Sequence, residues 1–232
     1  HRANTRGGQD HGWLKVNHTF SFANYYNPNR MHFGVLRVLN DDSIAGGKGF
    51  GTHPHDNMEI ITIPLEGALA HKDNMGNGTI IKKGDIQVMS AGTGITHSEF
   101  NSNEDHAVKV LQIWLFPNKK NVTPRYDQLS LKDIEVKNEF YQILSPNQND
   151  QGVWIYQNSW FSMAEFDSDK EVNYKLNLTS NGVYIFVIEG EIKVGKESLG
   201  KRDGFGIWNT EKINISALKG AKILLMELPM SV

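Results

Sequence analysis

Two pairs of polar residues in the first half of the sequence have a spacing that suits metal binding on β-strands. His53 and His55 lie two residues apart, and so do His97 and Glu99. In an extended chain, residues i and i+2 point to the same face. Two such strands that meet inside a barrel would bring three imidazoles and one carboxylate to a single ion.

This set of ligands predicts an open metal site. Neutral nitrogen donors and a carboxylate oxygen suit Fe(II), Mn, Co, Ni, Cu or Zn, and the ligand types do not choose among them. If the ion is octahedral, four protein ligands leave positions for substrate, water or O2, unlike a closed structural site. The carboxylate of Glu99 could also accept a proton from a bound hydroxyl group.

Other residues compete weakly for a place in this site. Glu59 lies four residues after His55, on the same face of a continuous strand, and is the alternative to Glu99 as carboxylate ligand. We expect Glu59 to support the site or the core instead. Four histidines are isolated from any motif and are expected to be structural or solvated: His18, His32, His71 and His106. Of these, His32 and His71 could approach the pocket.

The composition narrows the possible functions. The 232 residues contain 24 Lys and Arg against 26 Asp and Glu, a formal net charge of −2. This balance argues against direct nucleic-acid binding through a basic face. The sequence has no cysteine, which excludes disulfides, thiolate metal sites and cysteine nucleophiles. Any tightly held metal must therefore use His, Asp or Glu.

Membrane and targeting segments are not evident in the sequence. No apolar run reaches the roughly 18 residues that suggest a transmembrane helix. The first residues lack the charged-then-apolar pattern of a signal peptide. We expect a cytoplasmic protein with no membrane partner. Because the sequence begins at His1 without an initiator methionine, we also expect further residues to precede it.

Short apolar runs, separated by turns rich in Gly, Asn and Asp, predict an all-β fold. The runs have strand length and are rich in β-branched or aromatic residues: 35–39, 59–65, 108–116, 183–188, 213–217 and 223–228. The best candidate for a helix is the segment 129–139.

A faint internal repeat indicates two related barrels in tandem. Residues 64–69 resemble 187–192, and 82–89 resemble 200–208 in the same order. The polar stretch 117–124 suggests the exit from the first barrel, so we place the boundary between residues 117 and 138 and predict domains 1–125 and 126–232. All nine histidines lie at or before His106, so only the first barrel can hold a histidine-ligated metal.

The two metal segments resemble the motifs of the cupin superfamily. Gly51-Thr52-His53-Pro54-His55, with Glu59 and Gly67, is similar to the first cupin motif. Gly84-Asp85, Ser90-Ala91-Gly92 and His97 are similar to the second motif, with Ser-Ala-Gly where many cupins have Pro-x-Gly.

Within the cupins, the sequence resembles the pirin family, and in particular its bacterial quercetinase branch. Three stretches carry this resemblance: His53-Pro54-His55, Met89 to Glu99, and Gln112-Ile113-Trp114. The opening Gly12-Trp13, followed by His18 to Tyr26, is also similar. The match is strong over residues 11–128 and rests on architecture beyond them.

The resemblance implies a bicupin, two packed jelly-roll barrels with one metal, commonly iron, in the first barrel. The family's ligands correspond here to His53, His55, His97 and Glu99, and its motif glutamate, here Glu59, is not a ligand. The second barrel lacks ligands in the family. Bacterial members show quercetinase activity, in which O2 opens the central ring of a flavonol and carbon monoxide is released. We therefore expect a flavonol-like substrate, with Glu99 as ligand and base.

Two alternatives to this enzyme remain open. Other members, including the animal pirin, are described as nuclear co-regulators, so the chain could be a metal-containing regulatory protein with a protein partner and no turnover. A sugar-phosphate isomerase is the other alternative. It would need Lys or Arg beside the metal to bind phosphate, and neither metal segment contains one.

Overall fold

The computed structural model describes residues 1–231, and nearly all regular structure in this range is β-strand. The strands of the first half are β1 (Gly7–Asp10), β2 (Leu14–His18), β3 (Leu36–Ile44), β4 (Gly49–His55), β5 (Glu59–Glu66), β6 (Ala68–Asp73), β7 (Gly78–Lys82), β8 (Asp85–Ser90), β9 (Ile95–Asn101), β10 (Val108–Leu115) and β11 (Arg125–Ser130). Those of the second half are β12 (Tyr141–Ser145), β13 (Val153–Trp154), β14 (Trp160–Glu165), β15 (Lys170–Lys175), β16 (Asn181–Glu189), β17 (Glu191–Val194), β18 (Glu197–Gly200), β19 (Gly204–Ile207), β20 (Lys212–Ala217) and β21 (Lys222–Pro229).

Two short 3-10 helices complete the regular structure of the described residues, at Ala3–Thr5 and Leu131–Asp133. Neither helix in residues 1–231 has the length and hydrophobicity that crossing a lipid bilayer requires. The predicted all-β class is confirmed, and each of the six apolar runs lies largely within a strand.

The two halves have the same strand order. The first half pairs a sheet β1-β2-β3-β10-β5-β8-β11 with a sheet β4-β9-β6-β7. The second pairs β13-β12-β14-β21-β16-β19 with β15-β20-β17-β18. The order β3-β10-β5-β8 therefore corresponds to β14-β21-β16-β19, and the smaller sheets correspond strand for strand. Each half is a jelly-roll barrel, as the repeat predicts.

The repeated sequences form equivalent turns in the two barrels. Gly67 and Gly190 follow the glutamates that end β5 and β16, and their φ angles are 72° and 75°. This left-handed conformation favours glycine. The Gly-Asp turns also match, since Asp85 accepts a hydrogen bond from the backbone N–H of Lys82 and Asp203 accepts one from Gly200, each at 3.1 Å. The weak repeat thus marks the turns, where residue type is most restricted.

The predicted helix at 129–139 is wrong. Strand β11 continues to Ser130 and pairs with β8, with Leu129 opposite Ile86. Only the single 3-10 turn at Leu131–Asp133 follows. Leu131 packs in the core between the barrels, where strand pairing and burial outweigh local helix propensity. The strand begins at the predicted domain boundary, and the division at residues 125 and 126 stays a prediction.

The largest hydrophobic cluster joins the two barrels. It contains side chains of the first half, such as Leu36 and Ile61, and of the second, such as Phe161 and Tyr184. Apolar burial of this kind stabilises by about 25 cal/mol per Å². Smaller clusters fill the inside of each barrel, and the two in the first barrel flank the predicted metal residues.

Candidate metal centre

Strands β4 and β9 bring the three predicted histidine ligands together. They pair antiparallel, with His53 directly opposite His97 and His55 opposite Ile95. The ring centroids are 4.4 Å apart for His53 and His97, 4.9 Å for His53 and His55, and 5.0 Å for His55 and His97. One nitrogen of each ring lies within 4.8 Å of the others, a spacing that can hold one metal ion.

Glu99 joins this cluster through His97. It is buried on β9, and one of its oxygens lies within 4.8 Å of ring nitrogens of both His97 and His71. Gln112 Nε2 donates hydrogen bonds to both carboxylate oxygens, at 3.1 and 3.3 Å, and Thr62 Oγ1 lies 3.5 Å from one of them. These contacts from β5 and β10 fix the direction of the carboxylate.

The unpaired nitrogens of His97 fit a metal ion. Both nitrogens of this buried ring lack a hydrogen-bond partner among the described residues. Such an unsatisfied buried group costs about 1–3 kcal/mol, and coordination to a metal would remove that penalty for the nitrogen that binds the ion. Burial, with the neighbouring histidines, lowers the pKa of His97 to about 3, and burial lowers that of His55 to about 4. Both rings are therefore neutral at pH 7, the form that binds metals.

The carboxyl group of Glu99 has the opposite tendency. Burial raises its pKa above the usual range, while His71, Gln112 and His53 oppose the shift. A carboxylate with a raised pKa is a better proton acceptor. Its environment therefore suits a base, and the charge of a bound metal ion would stabilise the carboxylate as a ligand.

From the sequence, His71 is expected to be structural or solvated, although it could approach the pocket, and the structure places it beside the site. It faces Glu99 across the β6–β9 pair, and its ring lies 5.3 Å from that of His97. Its Nε2 is 3.1 Å from Asp73 Oδ2, and its Nδ1 has no partner among the described residues. The signal was present, because His71 and Asp73 repeat the i, i+2 spacing of the other pairs.

The remaining candidates have other roles. Glu59 is buried and accepts a hydrogen bond from Ser90 Oγ at 2.7 Å, and it is in neither metal-capable group of the described residues. His18 bonds to Asn40, His32 to the carbonyl of Gly34, and the exposed His106 to Asp105.

A pocket of about 510 Å³ opens beside the cluster. Its apolar walls are Trp13, Phe22, Phe50, Ile60 and Trp114, and its polar lining includes Asn40, Asp42, Glu99, Gln112 and the three histidines. The Trp114 ring meets His55 edge to face at a centroid distance of 4.9 Å. This volume and lining suit a flat aromatic molecule with a few polar groups.

A second cavity of about 550 Å³ lies between the barrels, away from the histidines. Its lining mixes lysines and carboxylates that largely pair with each other, as Lys137 does with Glu135 and Glu165. Since it contains neither a metal-capable group nor an excess of one charge, the chemistry belongs to the histidine pocket.

Known proteins resemble the chain over both barrels. The family described as Pirin matches residues 1–115, and the family described as Quercetinase C-terminal cupin domain matches residues 142–228. A relative named quercetin 2,3-dioxygenase, from Escherichia coli K12, is 40% identical over 228 residues, covering 98% of this chain and 97% of its own. A pirin-like protein of Caulobacter vibrioides is 39% identical over 222 residues, covering 95% of each chain.

A solved structure agrees with these matches. The bacterial pirin YhhW of Escherichia coli in complex with nickel(II) superimposes with a TM-score of 0.93 at 39% identity, covering 100% of this chain and 98% of that one. The similarity therefore includes the architecture of both barrels and a relative that binds a divalent metal.

Proposed function

The chain belongs to the pirin family of bicupin proteins, and from this premise we propose that it is a metal-dependent dioxygenase of the quercetin 2,3-dioxygenase type. Its substrates would be a flavonol-like aromatic and O2, and its products a ring-opened ester and carbon monoxide. One observation carries the proposal: neutral imidazoles and a buried, basic carboxylate stand at the side of an aromatic pocket of about 510 Å³.

We assign the metal to His53, His55, His97 and Glu99, and we propose Fe(II) as the ion. When bound, the ion supplies Lewis acidity toward an enol hydroxyl and the redox chemistry that a reaction with O2 requires. The unpaired nitrogens of His97 and the low pKa values of His55 and His97 support this ligand set. Nickel, manganese, cobalt, copper and zinc suit the same ligands.

Glu99 acts as the base in this proposal. Its carboxylate accepts the proton of the substrate's 3-hydroxyl group, which raises the electron density of the ring that reacts with O2. Gln112 and Thr62 hold the carboxylate in one orientation, so little reorganisation is needed when the proton moves.

The aromatic walls position the substrate and exclude water. Trp114 is fixed against His55 and packs edge to face on Phe22, at a centroid distance of 5.3 Å. Trp13 and Phe50 form a similar pair at 5.8 Å. Flat rings between such side chains gain both apolar burial and aromatic contact.

The lining of the pocket argues against a sugar-phosphate substrate. None of the described residues that line it is Lys or Arg. A phosphate group would find no lysine or arginine side chain there to bind it beside the metal. The experiment below distinguishes the dioxygenase from the alternative, a metal-containing regulatory protein. A cytoplasmic location stays a prediction.

The decisive experiment measures carbon monoxide released from quercetin under O2. The chain is reconstituted with Fe(II), or separately with nickel, manganese, cobalt, copper or zinc, and its metal content is measured first. We expect about one metal per chain and carbon monoxide that depends on the metal. Metal-free protein is the control. Absence of carbon monoxide with every metal would overturn the dioxygenase and favour a regulatory role.

A further inference from the structure

One end of the pocket carries polar groups that the proposed chemistry does not use. On β3, Asn40 and Asp42 face the pocket, whereas Asp41 points to the opposite side of the sheet. Asp41 pairs there with Arg6 and Arg202, each at 3.2 Å. The two arginines thus neutralise Asp41 on the far face, and Asp42 has no ion-pair partner among residues 1–231.

The carboxyl group of Asp42 is buried and incompletely paired. The residue is 7% exposed, and its Oδ1 has no hydrogen-bond partner among the described residues. Burying a polar group in this way lowers stability. Its presence in a pocket wall is explained if a ligand completes its hydrogen bonding.

Asn40 adds a second polar group beside it. Its Oδ1 lies 2.9 Å from His18 Nδ1, which leaves the amide NH2 group available for another partner.

Burial raises the pKa of Asp42 to about 8; the negative charges of Asp41 and Glu99 contribute, and Arg6 opposes the shift. The raised pKa favours the protonated carboxyl group, whose O–H can donate a hydrogen bond.

The position of Asp42 along the sheet, relative to the Gln112 that holds Glu99, suits one ligand that reaches both. Asp42 lies opposite Val110 on β10, two residues before Gln112, which holds Glu99. At a strand rise of about 3.4 Å per residue, the two levels are separated by about 7 Å. Trp13 and Phe50 line the same pocket beside Asp42.

We propose that Asp42, supported by Asn40, recognises an oxygen atom of the aromatic substrate by donating a hydrogen bond to it. Asp42 is thus a specificity residue that selects oxygenated rings, while Glu99 and the histidines carry the reaction. This inference rests on the proposed function for the class of substrate, but its test uses binding without turnover.

The test compares two substitutions at this position. Asp42→Asn keeps the shape and a neutral hydrogen-bond donor, whereas Asp42→Leu keeps only the approximate volume. Asp41→Asn is the matched control, because it removes a carboxylate from the adjacent position on the same strand and retains an acceptor oxygen for its arginines. Nickel-loaded proteins are titrated with quercetin in the absence of O2, and the metal content of each is measured.

We expect Asp42→Leu to weaken quercetin binding about tenfold or more, since a buried ligand oxygen loses its donor. Asp42→Asn and Asp41→Asn should remain within about threefold of the wild type. All variants should keep one metal per chain. Quercetin analogues that each lack one oxygen should identify the atom that Asp42 contacts. The analogue without that oxygen should bind the wild type and Asp42→Leu equally.

Three results would overturn the assignment. These are unchanged affinity of Asp42→Leu, loss of metal from it, and absence of any quercetin binding by the wild-type chain. Binding with the expected pattern, but without carbon monoxide under O2 with every metal tested, would refute the proposed reaction alone and leave the role of Asp42 intact.

Discussion

The two barrels place different side chains at the same positions of one fold. Aligning the strands by their pairings sets Ile213 and Ile215 of β20 where β9 has His97 and Glu99. By the same registers, Tyr174 and Leu176 correspond to His53 and His55. In the second barrel these side chains are buried in a continuous apolar cluster. One barrel thus fills with hydrophobic side chains the space that the other gives to polar ones.

The buried carboxylates show the same contrast. Glu227, on β21, accepts hydrogen bonds from Tyr174 Oη, the backbone N–H groups of Asn177 and Leu178, and the side-chain amides of Asn177 and Asn181, all between 2.8 and 3.0 Å. Glu99 receives only the longer contacts of Gln112 and Thr62. A fully satisfied carboxylate stabilises the fold, whereas a partly satisfied one remains able to bind a metal or a proton.

The largest expected difference between the barrels concerns His97 and its counterpart Ile213. His97→Ala should weaken metal binding by more than about 100-fold. Even substitution of residues that only hydrogen-bond to the ligands weakens metal affinity by about 10–100-fold. Carbon monoxide release should be lost with the metal, while the far-UV circular dichroism stays unchanged. Ile213→Ala should instead lower the free energy of unfolding by about 2–5 kcal/mol and leave the metal content at one per chain. Full metal and turnover in His97→Ala would refute the ligand assignment.

The two buried carboxylates, Glu227 and Glu99, give the next effect. Glu227→Gln should lower the free energy of unfolding by about 3 kcal/mol, because its NH2 group cannot accept the hydrogen bonds that now converge on the carboxylate. Metal content and turnover of the folded fraction should not change. Glu99→Gln should reduce carbon monoxide release more than metal content. Equal loss of carbon monoxide release and metal content would restrict Glu99 to the role of ligand. Denaturant unfolding measures the effect of Glu227→Gln, and carbon monoxide release with metal analysis measures that of Glu99→Gln.

Glu59 makes the stability of the first barrel depend on pH. Burial raises its pKa to about 7, above the ordinary value of 4.5. The folded protein therefore holds a proton that the unfolded chain releases, and stability falls as the pH rises from about 4.5 to 7. For the metal-free protein, Glu59→Gln should remove about 2 kcal/mol of this decrease between pH 5 and 7. If the free energy of unfolding changed equally with pH in the wild type and in Glu59→Gln, the buried, protonated state of Glu59 would be contradicted.

His71 gives the smallest effect. Its counterpart in the second barrel is Val194, which lies opposite Ile215 as His71 lies opposite Glu99. His71→Asn should weaken metal binding about tenfold, the usual result of changing a group behind the ligands. Val194→Ala is the control and should not alter metal affinity, as measured by competition with a chelator. An unchanged affinity in His71→Asn would make this histidine purely structural.

Sequence patterns predicted the parts of the molecule that depend on neighbours along the chain. The i, i+2 spacing identified His53, His55 and His97, which the β4–β9 pair brings close together, and the repeated Gly turns indicated two barrels. The helix prediction at 129–139 failed because pairing with β8 and burial of Leu131 are long-range effects. The spacing of His71 and Asp73 is a local signal, but only the pairing of β6 with β9 brings His71 beside Glu99.

The sequence by itself determined six of the strands, the tandem barrels, the restriction of histidine to the first half and the types of side chain available for a metal. These follow from the alternation of side chains in extended chain and from turns that only a few residues can form. Only the tertiary structure decided which carboxyl groups face the histidines, that Asp41 and Asp42 point to opposite faces, and that Gln112 holds Glu99. Those relations depend on sheet pairing between segments far apart in sequence, and local residue patterns do not specify which segments meet.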